Sequence, residues 1–151
     1  MSLDPKGYVP ALVIDSGETL TENIAVLDWL ATQYPALSVS GELGRTRLLE
    51  ALTFLSTEIH RSFKAFWHES SEAQKESARA AITGQFQMLV NSDDRPYLLG
   101  QTPSVADFYL FVMLLWARRF AVTVPQNLQA LESRIASRPS TQTAMRAEGL
   151  L

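Results

Sequence analysis

The hydrophobic pattern changes along the chain, from a strand-like run near the start to helical periodicity later. Residues 8–15 are Tyr-Val-Pro-Ala-Leu-Val-Ile-Asp, and the turn residues Asp15-Ser16-Gly17 close this run. A short segment that is rich in apolar and β-branched residues and ends in a turn is typical of a strand. Thr19-Leu20 then predicts a second short strand of a hairpin. Thr21 is predicted to cap the next helix, which ends at Pro35.

Beyond residue 41 the pattern is helical throughout. Residues 36–41 form a small polar linker, after which apolar side chains recur at steps of three and four. The repeating positions are Leu48, Leu52, Leu55, Ile59, Phe63 and Phe66. This spacing predicts one long amphipathic helix over about 42–67. Further helices are predicted over about 71–91, from Ser104, over about 126–137 and over about 140–147, with a turn at 91–96.

The helix that starts at Ser104 has a distinctive sequence. Ser104-Val105-Ala106-Asp107 is a capping box, in which a hydroxyl stands at the N-cap and a carboxylate stands three residues later. Phe108 to Trp116 follow and are apolar on every side. A helix that is hydrophobic all round belongs in the centre of a bundle, where its first N–H groups need partners. We therefore assign Ser104 and Asp107 a structural role as the cap.

Composition and charge limit the classes of function. The net charge is −3 and no basic stripe is visible, which argues against nucleic-acid binding. The longest uncharged apolar run, from Phe108 to Ala117, is too short to span a membrane. The chain has no cysteine and only two histidines, His60 and His68, so no spacing suggests a metal site. The start does not resemble a signal peptide, and the expected location is the cytoplasm.

The predicted hairpin needs more structure than its own two strands. A two-stranded hairpin is marginal in water, and no residue precedes Met1 to complete a sheet. Val9, Val13 and Ile14 would lie at an open sheet edge, which invites pairing with another chain. The sequence is therefore expected to be truncated at its N-terminus.

Six segments of the chain together resemble one family. They are Asp4-Pro-Lys-Gly-Tyr-Val-Pro-Ala-Leu12, Leu20-Thr-Glu-Asn-Ile-Ala25, Ser56-Thr-Glu-Ile-His-Arg-Ser-Phe63, Tyr97-Leu-Leu-Gly100, Ser104-Val-Ala-Asp107 and Ala147-Glu-Gly-Leu-Leu151. In this order and spacing they resemble the glutathione S-transferases, most closely the bacterial beta class. The resemblance implies a mainly α protein. An all-helical C-terminal bundle over 42–151 would follow a partial thioredoxin-like β-β-α segment over 1–35 and the linker 36–41.

The resemblance also implies which residues bind glutathione. Val9-Pro10 resembles the family's cis-proline turn, whose backbone pairs with the cysteinyl unit like an added strand. Asn23 opens a helix and would receive the γ-glutamyl carboxylate, because a helix N-terminus attracts anions. Glu22 would pair with the ammonium group, and Arg61 replaces a family lysine that helps to hold a carboxylate. Without the resemblance, Glu22 and Asn23 would be read as a routine acidic first turn of the helix.

Four side chains are implied to act near the glutathione sulfur. His60 matches a beta-class histidine and is predicted to be an auxiliary catalytic residue, which hydrogen-bonds the thiolate or transfers its proton near neutral pH. The alternative is a structural histidine between helices. Phe63, Tyr109 and Trp116 would line an apolar pocket for the second substrate. Aromatic side chains at helical spacing are equally typical of a plain core.

The implied function is that of a glutathione S-transferase, which conjugates or reduces electrophilic small molecules with glutathione as co-substrate and without a metal. The expected partners are glutathione, the electrophile and a second copy of the chain in a homodimer. The family's first β-α-β carries the residue that activates the thiol, and it is missing here. The chain alone is therefore predicted to be inactive. The alternative is a non-catalytic ligand-binding or scaffold protein built on the helical domain.

Overall fold

A computed structural model of the chain describes residue 7, residues 9–90 and residues 95–151. In these ranges a short hairpin is followed by α-helices, which confirms the mainly α fold. The hairpin strands are β1 (Ala11–Val13) and β2 (Thr19–Thr21). The helices are α1 (Asn23–Gln33), α2 (Gly44–Phe54), α3 (Lys64–Trp67), α4 (Glu72–Met88), α5 (Val105–Arg119), α6 (Gln126–Ala136) and α7 (Pro139–Ala147). Most of the turn predicted at 91–96 lies outside the described residues.

The hairpin is shorter than its sequence predicts. β1 and β2 are antiparallel, with Ala11 opposite Thr21 and Val13 opposite Thr19. Gly17 has a φ of 86° and its N–H donates to the Ile14 carbonyl at 2.8 Å. A backbone in this left-handed region is accessible to glycine without steric cost. The turn therefore forms where the sequence predicts it, and β2 includes Thr21.

Helix α1 begins one residue later than predicted, with Glu22 rather than Thr21 at the N-cap. Thr21 cannot be the cap, because it is the last residue of β2 and is paired with Ala11. Glu22 has a φ of 69° and a ψ of 119°, and its side chain makes no capping hydrogen bond. The first N–H groups of α1 therefore receive no side-chain cap.

The long helix predicted over 42–67 is interrupted by a π-helical turn over Leu55–His60. Two consecutive steps of four separate Leu55, Ile59 and Phe63. In a regular α-helix these steps would displace the third side chain by about 80° around the axis. All three side chains are 0% exposed, so the wider π turn keeps them on one buried face. The predicted apolar face is confirmed, whereas the prediction of a single regular helix was wrong.

The linker joins α2 through a close backbone approach at Gly44. A Cβ atom added there would overlap the Val39 carbonyl oxygen and lie 2.8 Å from the carbonyl carbon. Gly44→Ala is therefore expected to lower the free energy of unfolding by about 1–3 kcal/mol, which is typical of overpacking. Urea denaturation followed by circular dichroism measures this change.

Gly84 in α4 provides the matched control, because no atom lies within 4 Å of the Cβ that alanine would add there. Gly84→Ala is expected to stabilise the chain by about 0.5–1 kcal/mol, since glycine is unfavourable in a helix interior. Equal effects at the two glycines would contradict the close approach at Gly44.

Helix α5 lies at the centre of the bundle and packs against α1, α2, the π-helical turn and α6. Leu110, Met113, Leu114 and Ala117 are 0% exposed. At its start, Asp107 accepts hydrogen bonds from the Ser104 N–H, the Ser104 hydroxyl and the Leu98 N–H, each at 2.8 Å. The predicted capping role of Ser104 and Asp107 is confirmed.

Helix α1 is held to the bundle by polar as well as apolar contacts. Arg45 donates to both carboxylate oxygens of Asp28, at 3.0 and 2.7 Å, and so connects α2 to α1. These hydrogen bonds hold the pKa of Asp28 below its usual range. Ala31 and Val26 on the same helix are buried. The hairpin segment and the helical bundle therefore meet through α1.

Candidate functional site

A cavity of about 500 Å³ lies where the hairpin segment meets the bundle. Its lining residues come from four parts of the chain: the residues before β1, the β2–α1 junction, the π-helical turn with the residue after it, and α5. Its lining residues are Val9, Pro10, Thr21, Glu22, Asn23, Ile24, Ser56, Thr57, His60, Arg61 and Tyr109. The structure thus brings together the five predicted glutathione-binding residues, His60 and Tyr109.

Val9 and Pro10 form one rim of the cavity. The peptide bond between them is cis, as the sequence resemblance implies. Val9 is 91% exposed, so this rim is open. A peptide backbone at this rim can accept an extended ligand as an additional strand.

The N-terminus of α1 faces the same cavity and offers donors. Its first N–H groups lack a side-chain cap at Glu22, and such groups attract an anion. The Asn23 Nδ2 atom is buried and has no hydrogen-bond partner of ordinary geometry among the described residues. A buried donor without an acceptor costs free energy, so this atom suits an acceptor supplied by a ligand. The Glu22 carboxylate adds a negative group at the adjacent position.

His60 is held by a partner on another helix. Its Nδ1 atom and the Tyr109 hydroxyl oxygen are 2.7 Å apart. The imidazole also meets the Trp116 ring edge-on, with ring centroids 5.0 Å apart. Partial burial lowers the pKa of His60, which favours the neutral ring. His60 therefore presents an oriented imidazole to the cavity.

Tyr109 is the buried residue of the cavity lining. Burial raises the pKa of Tyr109, and the Ser56 and Asn23 side chains oppose this increase. Ser56 was not among the predicted site residues, and neither were Thr21, Ile24 and Thr57. Ser56 stands four residues before His60, and this spacing on one helical face is the signal that points to it.

Arg61 follows His60 and supplies a guanidinium to the cavity lining. It is exposed and lies on the rim. Because a guanidinium forms paired hydrogen bonds with a carboxylate, Arg61 is suited to an anionic end of a ligand. The cavity therefore combines one carboxylate, one guanidinium and one helix N-terminus.

The structure separates the aromatic residues predicted for a second-substrate pocket. Tyr109 lines the cavity, but Phe63 is 0% exposed and packs against Trp116 and Phe66 in the core. The prediction that Phe63 lines a substrate pocket therefore does not fit its position, because its face of the helix points inward. Trp116 is half-buried and lies between His60 and Trp67. Trp116 packs against the His60 ring and does not line the cavity.

The described residues contain neither a group of metal ligands nor a membrane-spanning helix. Within residues 7, 9–90 and 95–151, no three His, Asp or Glu side chains are grouped so that they could hold a metal ion. Over the same ranges, no helix is long and apolar enough to cross a membrane.

The family model of the glutathione S-transferase C-terminal domain matches residues 46–139. The chain is 35% identical over 160 residues to the glutathione S-transferase GstA of Escherichia coli O157:H7, and the match covers 99% of this chain and 78% of that protein. It is 31% identical over 165 residues to the glutathione S-transferase GST-4.5 of Xanthomonas campestris, covering 99% of this chain and 80% of that protein.

Solved structures agree with these matches. A beta-class glutathione S-transferase of Sphingomonas chungbukensis superposes with a TM-score of 0.83 at 42% identity, covering 99% of this chain and 78% of that one. A sphingomonad glutathione S-transferase complexed with glutathione superposes with a TM-score of 0.81 at 38% identity, with the same coverage of 99% and 78%.

Proposed function

Because this chain belongs to the glutathione S-transferase family, we propose that its cavity binds glutathione as co-substrate and that the protein conjugates or reduces electrophilic small molecules with it. The relatives named above are beta-class or bacterial enzymes, and the family places the reaction at the glutathione sulfur. The cavity does not specify the electrophile, because the side chains that line the cavity suit the backbone of glutathione. We also propose the cytoplasm as the location.

One observation carries the proposal: the buried, unpaired Asn23 amide stands at the uncapped start of α1, beside the Glu22 carboxylate. The γ-glutamyl end of glutathione is a zwitterion, with a carboxylate and an ammonium group on one carbon. The helix N-terminus and the Asn23 Nδ2 atom suit the carboxylate, because both are donors. The Glu22 carboxylate suits the ammonium group. Adjacent residues therefore supply both signs of partner.

The remaining lining residues suit the rest of the tripeptide. Val9 lies at the exposed rim, where the cysteinyl unit can pair with its backbone as an added strand. Arg61 offers a guanidinium for the glycyl carboxylate. His60 and Tyr109 line the cavity next to each other, and we assign the sulfur to their side of it. Glutathione is thus placed with its polar ends on Glu22–Asn23 and Arg61.

Calorimetric titration of the 151-residue chain tests this placement. Glutathione is expected to bind. The dipeptide cysteinylglycine, which lacks the γ-glutamyl group, is expected to bind at least about tenfold more weakly, because it loses at least one charge-assisted interaction. Equal affinity for the two ligands would refute the role of Glu22 and Asn23. Turnover of a chlorinated aromatic electrophile separates the enzyme from a binding or scaffold protein.

We further propose a homodimer formed through an apolar groove between α2 and the end of α4. The groove has a volume of about 320 Å³, and its lining includes Phe54, Met88 and Leu89. Met88 is 74% exposed, and such a large apolar side chain at a groove is typical of an interface. Light scattering with size exclusion is expected to give the mass of two chains, and Met88→Glu is expected to give one.

A second apolar groove supplies the control for the dimer. Val112 is 40% exposed and lines a groove with Leu115 and Met145. Val112→Glu is expected to leave the dimer intact. If Val112→Glu dissociates the dimer and Met88→Glu does not, the interface lies on the other groove.

A further inference from the structure

The groove that Val112 lines between α5 and α7, called the Val112 groove below, is apolar along most of its length and polar at one end. Its volume is about 320 Å³. Leu115 on α5 and Met145 on α7 belong to its apolar walls. Ser140 and Thr141 line it where α7 begins. An apolar cleft with a few polar groups at one place is typical of a small-molecule site.

Thr141 supplies a buried polar atom at this end. The residue is 8% exposed, and its Oγ1 atom has no hydrogen-bond partner among the described residues. Thr143, on the same helix, shows the usual alternative, because its hydroxyl donates to the Pro139 carbonyl at 3.0 Å. A buried hydroxyl without a partner costs free energy. The Thr141 hydroxyl therefore suits an acceptor that a ligand in the groove supplies.

The start of α7 also attracts negative charge. The N-cap residue Arg138 makes no side-chain capping hydrogen bond, and a helix N-terminus without such a cap favours an anion. The Arg138 guanidinium lies over the ring of Phe108, which lines the groove, with its carbon 5.7 Å from the ring centroid. The buried Nε atom of Arg138 has no hydrogen-bond partner within the described ranges. Two kinds of donor are thus available for one anion.

The far end of the groove has the opposite charge. Glu148 lines it seven residues after Thr141, which corresponds to about 10 Å along the axis of α7. Between these ends lie the apolar side chains, including Val112, which is 40% exposed. The Val112 groove therefore matches a ligand with one anionic end and an apolar body, and it disfavours a second anionic end.

We propose that the Val112 groove is a second ligand site, which binds a monocarboxylate with an apolar chain. The carboxylate accepts hydrogen bonds from the Thr141 hydroxyl and from Arg138, and the chain lies along Val112 and Leu115. An amine of equal length would bring a positive charge to the positive end, and a dicarboxylate would bring a second carboxylate to Glu148. None of the groove residues lines the glutathione cavity, so the proposal does not rest on the function proposed above.

Calorimetric titration of the 151-residue chain with octanoate tests the site. Octanol, octylamine and octanedioate have equally long chains and serve as the comparison ligands. Octanoate is expected to bind at least about tenfold more tightly than each of them, because it alone gains the charge-assisted hydrogen bonds without repulsion. Saturating glutathione is expected to leave its affinity unchanged. Equal affinity for octanoate and octanol, or displacement of octanoate by glutathione, would refute the proposal.

Variants of α7 test the two donors. Thr141→Val keeps the shape of the side chain and is expected to weaken octanoate binding about threefold to tenfold, the effect of one hydrogen bond. The urea midpoint of the free chain is not expected to fall, since the hydroxyl has no partner there. Thr143→Val, which changes an exposed residue outside the groove, is expected to leave the affinity unchanged. Arg138→Gln is expected to weaken binding about tenfold, and Arg146→Gln, at an exposed arginine outside the groove, is not.

A variant of the apolar wall tests where the chain lies. Val112→Glu places a charge on that wall and is expected to abolish octanoate binding. Wild-type affinity in Thr141→Val, in Arg138→Gln or in Val112→Glu would contradict the proposed position of the ligand. An affinity that falls as the protein concentration rises would show that a second copy of the chain occupies the groove, and this would also overturn the proposal.

Discussion

Asp107→Ala is expected to lower the free energy of unfolding by about 3 kcal/mol or more, because buried donors left without an acceptor cost about 1–3 kcal/mol each. Asp107 is 0% exposed and accepts three hydrogen bonds at 2.8 Å. Two of the donors are backbone N–H groups, on Ser104 and Leu98. The substitution removes both acceptor oxygens at the start of the central helix α5. Urea denaturation, followed by circular dichroism at 222 nm or by tryptophan fluorescence, measures the change.

Two further variants separate the cap from the packing. Asp107→Asn keeps the shape and one acceptor oxygen, so its loss of stability is expected to lie between those of the wild type and Asp107→Ala. Ser104→Ala removes only the hydroxyl, and the expected cost is about 1 kcal/mol. If Asp107→Ala lowers the free energy of unfolding no more than Ser104→Ala does, the Ser104 and Leu98 N–H groups do not need the Asp107 carboxylate as their acceptor.

Glu22→Gln is expected to weaken glutathione binding about tenfold, or more, because it replaces a charged partner of the ligand's ammonium group by a neutral amide. The side chain stands at the N-cap of α1 and lines the cavity. The change keeps the shape of the residue and its φ of 69°, so the fold is expected to be retained. Calorimetric titration of glutathione into the variant measures the affinity.

Glu42→Gln is the matched control, because it removes an exposed carboxylate that does not line the cavity. Its affinity for glutathione is expected to equal that of the wild type. The loss in Glu22→Gln should also diminish with added salt, since the interaction is between charges at an accessible site. If Glu22→Gln and Glu42→Gln bind glutathione equally well, the ammonium group does not pair with Glu22.

The helices of the bundle could be predicted because their periodicity is local. The apolar repeat from Leu48 to Phe66 identifies the buried face correctly, and the capping box at Ser104 identifies the start of α5. The π-helical turn could not be predicted, because it adds a residue to one turn without removing an apolar side chain from the face. Only the two steps of four between Leu55 and Phe63 indicate it. Tertiary packing decides this geometry.

The site could be predicted only in part. The resemblance identifies residues near each end of the cavity, such as Glu22 and Arg61. It does not identify the contact between His60 and Tyr109, which are 49 residues apart, because no local pattern links two helices at that separation. Phe63, by contrast, was predicted to lie in the site but does not line the cavity. Its spacing suits a pocket and a core equally, and the fold places it in the core.

A map of backbone amide chemical shifts on titration with glutathione tests the central claim most directly, because it locates the ligand without assuming any activity. The largest shifts are expected at the lining residues Val9, Glu22 to Ile24, Ser56, Thr57, His60 and Arg61. Residues on the Met88 groove are expected to remain unchanged. Shifts confined to another surface, or none at saturating glutathione, would contradict the assignment of this cavity to glutathione.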